Sequence, residues 1–291
     1  MKDYDLAFSL GFSCGVSQAL RAAGMQFASY PLDWLATRGV AHVAKIVAGD
    51  FDGWFEYDDF QLVDVRHGTG FCTRCYLNAK TGLGYSHEFP DFMPFAESFP
   101  KVRQTYERRV KRFVERADAS RRMLAVYLEL PLCPRAGDDE ILEARRILAE
   151  RFPAAEVDVL YVFVEPGRSS PALGEIAPGA FTASYDYRKY DGEEVTHFVD
   201  WAPLVPFFRA NFHVEDTRSS DERKKFSACE NKSDDMRWGP DKSRFRRWLN
   251  KHLYKTYRSL EQVLIRRGLV HREGPLWDFY PELVAGRGAA K

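Results

Sequence analysis

The stretch Met123-Leu-Ala-Val-Tyr-Leu-Glu-Leu130 decides the fold, because its length and apolar composition are those of a buried strand. A second run of this kind, Val157-Asp-Val-Leu-Tyr-Val-Phe-Val164, follows further along the chain. Between them, Asp138 opens a helix that runs to about Arg151, with acidic residues in its first turn, where they suit the helix dipole. A strand, a helix and a strand at this spacing form a βαβ unit with parallel strands. The sequence therefore predicts an α/β fold whose mixed, partly parallel sheet is flanked by helices.

The apolar pattern on both sides of this unit predicts further strands and helices. A strand over 4–10 is followed closely by a helix over 14–23, which Ser13 can cap and Gly24 ends. His87 lies in a segment with too many glycines and prolines for a helix, which predicts a loop or a strand end. The other predicted elements are a helix over 39–48, strands over 54–65 and 71–78, a helix over 101–117, a strand over 195–200 and a helix over 202–210.

The composition is that of an ordinary soluble globular protein, with 45% hydrophobic and 29% charged residues among 291. The 42 basic residues balance the 42 acidic ones, so nucleic acid is not an expected partner. No signal-peptide core, transmembrane stretch or glycine-rich phosphate-binding motif is present in the sequence, and no cofactor is predicted. The five cysteines, an odd number, do not suggest a disulfide framework and indicate a reduced, cytoplasmic compartment.

The charge pattern changes near residue 214, which suggests where the main domain ends. Residues 1–213 are predicted to form the main α/β domain, 214–243 a polar linker or mobile loop, and 244–291 a basic amphipathic helix and tail. The helix can lie on an anionic polymer or membrane surface through its many Lys and Arg side chains. The favoured interpretation is that its apolar stripe docks on the main domain and its charges stay in water.

Cys14 is the first candidate functional residue, because it lies where a strand ends and a helix begins. A thiol at a helix N-terminus feels the positive end of the dipole and nearby backbone N–H groups, which favour the thiolate. That is the state a cysteine nucleophile needs. The alternative interpretation is a small buried residue in a tight strand-to-helix turn.

A cysteine nucleophile needs a histidine as its base and a third polar group that orients the imidazole. Of seven histidines, His87 has the best local context, since acidic residues follow it at Glu88 and Asp91. Asp33 is the preferred third residue, because only one predicted helix separates it from Cys14. The alternative for His87 is a hydrogen-bonded loop histidine, and for Asp33 it is ordinary turn chemistry after a proline.

The pair Cys72-Thr-Arg-Cys75 has the spacing of a metal or redox motif, but no second pair of ligands accompanies it. On a strand, the two side chains would also point to opposite faces. No metal site is predicted.

Four segments resemble a bacterial domain family of unknown function that is described as "putative papain-like cysteine peptidases". They are Ser9-Leu-Gly-Phe-Ser-Cys14, Leu20-Arg-Ala-Ala-Gly-Met25, Ser29-Tyr-Pro-Leu-Asp-Trp34 and Tyr85-Ser-His87-Glu-Phe. The resemblance covers about residues 4–130 and implies a nucleophile at Cys14 and a base at His87. It assigns no third residue, for which Asp33 and Asp91 are candidates from their position alone. The papain-like label implies an antiparallel sheet beside the histidine, whereas the βαβ unit predicts parallel strands.

The expected activity is that of a thiol hydrolase or acyltransferase acting on an unknown peptide, ester or thioester. The alternative is a non-catalytic or glycan-related module for surface polysaccharide assembly, in which Cys14 is structural and the basic helices bind an anionic polymer. A third interpretation is a hydrolase with Ser9 or Ser13 as nucleophile, which ranks lower because neither serine has a G-D-S context.

Overall fold

A computed structural model describes residues 1–12, 14–66, 73–90, 93–191, 194–216 and 218–223. The predicted basic helix over 244–291 and most of the predicted linker over 214–243 lie outside these residues. So do Ser13, Cys72 and Asp91.

The described part of the chain contains the following helices and strands. The helices are α1 (Cys14–Ala23), α2 (Val40–Ala48), α3 (Phe95–Ala119), α4 (Asp138–Arg151) and α5 (Leu204–Asn211), with the 3-10 helix at Tyr57–Asp59. The strands are β1 (Lys2–Tyr4), β2 (Leu6–Gly11), β3 (Leu35–Ala36), β4 (Phe60–Arg66), β5 (Thr73–Asn78), β6 (Gly84–Pro90), β7 (Arg122–Leu128), β8 (Glu156–Val164), β9 (Ala172–Ala177), β10 (Ala180–Tyr185), β11 (Arg188–Asp191), β12 (Glu194–Val199) and β13 (Phe212–Val214).

The main sheet has five strands in the order β2-β7-β8-β10-β9. The first four are mutually parallel, and β9 pairs antiparallel with β10. Helix α4 connects β7 to β8 and packs on β8 and β10, which completes the predicted βαβ unit. The mixed, partly parallel sheet flanked by helices is therefore confirmed.

Strand β2 brings the chain to the carboxyl edge of this sheet. All six of its residues are buried, as expected for a parallel strand covered on both faces. At its end, Gly11 has a positive φ of 98° and lies so close to Thr37 that a Cβ there would be 2.1 Å from Thr37 Oγ1. Helix α1 begins three residues later, so a tight turn with no room for a side chain at Gly11 leads into the helix. Ligands commonly bind outside the carboxyl ends of strands in such sheets.

A second sheet, antiparallel in the order β3-β6-β5-β4, lies against helix α3. Aromatic rings fill the space between them, with ring centroids 4.8 to 6.3 Å apart for the pairs that Phe55 and Tyr85 make with their neighbours. Phe95 and Phe99 belong to this packing, so α3 begins six residues earlier than predicted even though Pro100 interrupts its hydrogen bonds.

Two local features of the fold differ from what the sequence predicts. His87 lies inside strand β6 rather than in a loop or at a strand end, because the glycine and proline of its segment stand at the two ends of the strand. The hairpin of β9 and β10 was not predicted, although Gly179, with a φ of 80°, makes the turn between them.

One hydrophobic core joins residues from Tyr4 to Val214. None of the helices in the described ranges has the length and apolar character needed to span a membrane.

Candidate functional site

Cys14 is the first residue of α1 and is half-buried, next to the turn at Gly11. Burial raises the pKa of the Cys14 thiol, the hydrogen bond from its own backbone N–H lowers it, and the negative charge of Glu88 raises it. The net pKa shift is upward, which is the opposite of what the helix N-terminus alone would produce. The thiol form of Cys14 is therefore favoured in the protein at rest.

Asp33 is fully buried and binds the chain that follows α1. Its Oδ2 atom accepts hydrogen bonds from Arg21 Nη2 at 3.1 Å, Gln26 Nε2 at 2.7 Å and the backbone N–H of Tyr30 at 2.8 Å. Burial raises the pKa of the Asp33 carboxyl, and the Arg21 guanidinium lowers it. These contacts hold the segment after α1 against the helix.

Ser17 links Asp33 to Cys14 through the backbone. Its hydroxyl donates to the Asp33 carbonyl oxygen at 2.8 Å and lies 3.2 Å from the Cys14 carbonyl oxygen. The first turn of α1 and the Asp33 segment are thereby fixed relative to each other.

His87 and Glu88 lie in a bulge of β6. Tyr85 pairs with Tyr76 and Phe89 with Arg74, so three residues of β6 stand opposite the single residue Cys75 of β5. Bulges re-aim side chains and are common next to active sites. Here the bulge leaves His87 exposed and Glu88 half-buried.

Two donors fix the Glu88 carboxylate. Its Oε1 accepts a hydrogen bond from the Tyr106 hydroxyl at 2.9 Å, and its Oε2 accepts one from the backbone N–H of His87 at 3.0 Å. Burial, and then the charge of Glu88, raise the pKa values of Tyr85 and Tyr106 well above the usual range. We call Cys14, Tyr85, Glu88 and Tyr106 the thiol cluster.

The Tyr85 hydroxyl of this cluster is fully buried and has no hydrogen-bond partner among the residues that the structure describes. A buried hydroxyl without a partner costs free energy, and such groups are rare outside functional positions. The thiol cluster thus contains one donor that the folded chain leaves unused.

A cleft of about 480 Å³ lies between residues 50–56 and helix α3, and Tyr106 is one of the residues that line it. Four carboxylates and two basic side chains line it, above buried aromatic rings. These charged residues are Asp50, Asp52, Glu56, Glu107, Arg103 and Lys111. Its lining therefore carries more negative than positive charge.

A buried carboxylate lies at the same edge of the main sheet as Cys14. Glu129 directly follows β7, and its Oε2 accepts a hydrogen bond from the Tyr161 hydroxyl at 2.6 Å. The Tyr161 hydroxyl in turn accepts one from the backbone N–H of Ala136 at 2.7 Å, and Tyr187 donates to the Glu129 carbonyl oxygen at 2.8 Å. This network joins the loops after β7 and β10 and makes the edge rigid.

Residues 5–160 match the model of a family described as "Putative papain-like cysteine peptidase", which is more than half of the chain. The chain belongs to this family. The match extends beyond the 4–130 of the sequence resemblance and includes the βαβ unit through most of β8.

The chain is also similar to uncharacterized protein R408 of Acanthamoeba polyphaga mimivirus, with 25% identity over 126 residues. The similarity covers 39% of this chain and 56% of that relative, so the chain spans little more than half of the relative's length. Because this relative is viral, it does not supply the bacterial origin that the resemblance implied. No solved structure matches the chain.

Within this family member, the structure links Cys14 to Asp33 through Ser17, and the negative charge of Glu88 acts on the Cys14 thiol. Among the described residues, no hydrogen bond joins Cys14 Sγ to a histidine. Of the other histidines, His42 Nε2 lies 2.7 Å from the Thr81 carbonyl oxygen, a contact remote from the thiol cluster.

Sequence reasoning missed the roles of Tyr85, Glu88 and Tyr106. Tyr85 and Glu88 lie in the segment that carries the family resemblance, so the acidic residue beside His87 was the available signal. Tyr106 gave no separate signal, because its spacing on α3 is that of an ordinary core residue.

Proposed function

We propose that this chain is a thiol hydrolase or acyltransferase of the peptidase type, with Cys14 as nucleophile and His87 as base. The observation that carries the proposal is the position of Cys14 at the first residue of α1, at the carboxyl edge of a parallel sheet. Backbone N–H groups at a helix start are suited to stabilise an oxyanion. The family description agrees with this chemistry at the level of the family.

In the proposed reaction, the His87 imidazole takes the Cys14 proton, and the thiolate attacks the carbonyl carbon of an amide, ester or thioester. The imidazolium then returns the proton to the leaving group as its bond to the carbonyl carbon breaks. Water, or another nucleophile in an acyltransferase, releases the acyl group and regenerates the thiol. Catalytic hydrogen bonds are often long in a protein without substrate and shorten in the complex, so the pairing of His87 with Cys14 does not require a hydrogen bond between them in the free protein.

Asp33 enters the proposal through its contacts. Its carboxylate is used by Arg21, Gln26 and Tyr30, and its carbonyl is tied to Ser17. We assign it the role of a positioning residue that holds the first turn of α1, and with it Cys14, in place.

Alkylation of Cys14 by iodoacetamide, followed by mass spectrometry, tests the proposal. Because the His87 imidazole takes the Cys14 proton in the proposed pair, Cys14 should react at pH of about 6 at least tenfold faster than Cys133. His87→Ala should abolish this difference, whereas His213→Ala, which removes an exposed histidine paired with Asp3, should not. Labelling of Cys14 no faster than that of Cys133, or unchanged in His87→Ala, contradicts the proposal.

The second candidate is the non-catalytic module, and the upward shift in the pKa of Cys14 favours it, because a structural thiol is expected to stay protonated. In this candidate, the basic segment 244–291 binds an anionic polymer such as a surface polysaccharide. The alkylation experiment separates the two, since slow labelling that does not depend on His87 is the result expected of the module. The cytoplasmic location stays a prediction in both cases.

A further inference from the structure

Glu88 is a carboxylate held in one place, and it has no basic partner among the residues that the structure describes. The Tyr106 hydroxyl and the His87 backbone N–H fix its two oxygens, and both donors are neutral. No Lys or Arg of the described ranges forms an ion pair with Glu88. Arg109 stacks on the Tyr106 ring at 4.8 Å, on α3, and does not bind the carboxylate.

A half-buried carboxylate without a cation is costly, and proteins usually pair such a group. Strand β6, which carries Glu88, pairs with β3, and β3 begins two residues after Asp33, whose carbonyl oxygen accepts a hydrogen bond from Ser17 in the first turn of α1. These contacts connect the strand of Glu88 to the helix start at Cys14, and the charge of Glu88 acts on the Cys14 thiol.

We propose that Glu88 selects substrates that carry a positively charged group, an ammonium or a guanidinium, beside the carbonyl that Cys14 attacks. This inference rests on the proposed function of Cys14. The bound cation would supply the partner that Glu88 lacks, with charge-assisted hydrogen bonds to its oxygens.

The cation would also make Cys14 more reactive. Free Glu88 disfavours the thiolate, so a substrate that neutralises Glu88 removes this opposition as it binds. Substrates without a positive charge would leave this opposition in place. The same carboxylate would thus both select the substrate and favour thiolate formation in its complex.

Charged methanethiosulfonates test this selectivity without a substrate. The Cys14 thiolate attacks the sulfenyl sulfur, a mixed disulfide forms, and methanesulfinate leaves. We compare the trimethylammonium-ethyl reagent with the sulfonato-ethyl reagent and divide their rate ratio at Cys14 by the ratio for free cysteine. A unit charge at contact distance in a partly buried site predicts a corrected ratio on the order of tenfold in favour of the cation.

Glu88→Gln should bring the corrected ratio close to one, because the amide keeps an acceptor for Tyr106 but carries no charge. Glu115→Gln serves as the control. It changes an exposed glutamate on helix α3, outside the thiol cluster, and should leave the ratio unchanged. A corrected ratio near one in the unchanged protein, or the same ratio in Glu88→Gln, overturns the inference.

A salt titration of the unchanged protein keeps the test decisive if Glu88→Gln does not fold. Raising the ionic strength from about 10 mM to about 1 M shortens the Debye length from roughly 30 Å to 3 Å, so the corrected ratio should fall toward one. A ratio that does not respond to salt counts against Glu88 as its source. Failure of the proposed function gives a different result. In that case His87→Ala does not change the alkylation rate of Cys14 by iodoacetamide, whereas the corrected rate ratio of the two methanethiosulfonates is unaffected.

Discussion

Replacing Asp33 with alanine tests whether this residue holds α1 and the thiol cluster in place. The substitution removes the acceptor of three hydrogen bonds, from Arg21, Gln26 and the backbone of Tyr30. Hydrogen bonds to a charged group contribute about 1.5–3 kcal/mol each, but the cost of burying the carboxylate offsets part of the sum. Removing one member of a buried ion pair costs about 3–5 kcal/mol, and Arg21 is buried enough for this range to apply.

We therefore expect Asp33→Ala to lower the free energy of unfolding by about 3–5 kcal/mol, measured by urea denaturation. For a domain of this size that corresponds to a fall in Tm of roughly 10 °C. Asp33→Asn should cost less, because burial already disfavours the charge and the amide keeps one acceptor oxygen. Asp58→Ala, an exposed aspartate in the 3-10 helix, serves as the control and should cost under about 0.5 kcal/mol.

A loss of less than about 1 kcal/mol in Asp33→Ala would refute this reasoning. If Asp33→Ala combined this small loss of stability with a loss of thiol activity, Asp33 would instead be the group that orients the His87 imidazole. A large loss of stability, with a Cys14 alkylation rate in Asp33→Asn close to that of the unchanged protein, would identify Asp33 as a positioning residue.

Two further predictions concern the turn before Cys14 and the acid stability of the domain. Gly11→Ala should cost about 2–4 kcal/mol by thermal unfolding, because the new Cβ lies 2.1 Å from Thr37 Oγ1 at a positive φ. Gly24→Ala, with positive φ but nothing within 4 Å, should cost clearly less, and equal losses would show that the contact is irrelevant. The Arg218 side chain lowers the pKa of Asp216 to about 2, so this aspartate contributes stability above its ordinary value of 3.8 that is lost as pH falls toward 2. Asp216→Asn should flatten the dependence of unfolding free energy on pH in that window, and an unchanged slope would exclude the contribution.

The parts of the fold that follow from local signals could be predicted from the sequence. Helix α4 has the predicted bounds, because acidic residues mark its start and Pro153 follows its end. The sequence marked helix α1 equally well, through the capping residue Ser13 before it and Gly24 after it. The hairpin of β9 and β10 could not be found in this way, since β9 is short, only partly buried and has no strict alternation of apolar residues.

The site was predictable only as far as it depends on single segments. Cys14 and the Asp33 turn are each visible in a short stretch of sequence, and one helix between them made their proximity a reasonable expectation. The bulge at Ser86, His87 and Glu88 is different, because it arises from the register between β5 and β6. A register is a property of two strands, so no pattern within the segment predicts which of two neighbouring side chains turns inward.

The electrostatics of Cys14 show why position at a helix start does not by itself identify an active thiol. A helix dipole contributes about 0.3–1 kcal/mol near an exposed terminus, less than one unit of pKa. Burial can shift a pKa by several units, and here it acts in the opposite direction, with Glu88 adding to it. The thiol form is therefore favoured at rest, so a nucleophilic Cys14 requires a base, the role that we propose for His87. Under the proposed selectivity, a cationic substrate that neutralises Glu88 then increases the share of the reactive thiolate in the complex.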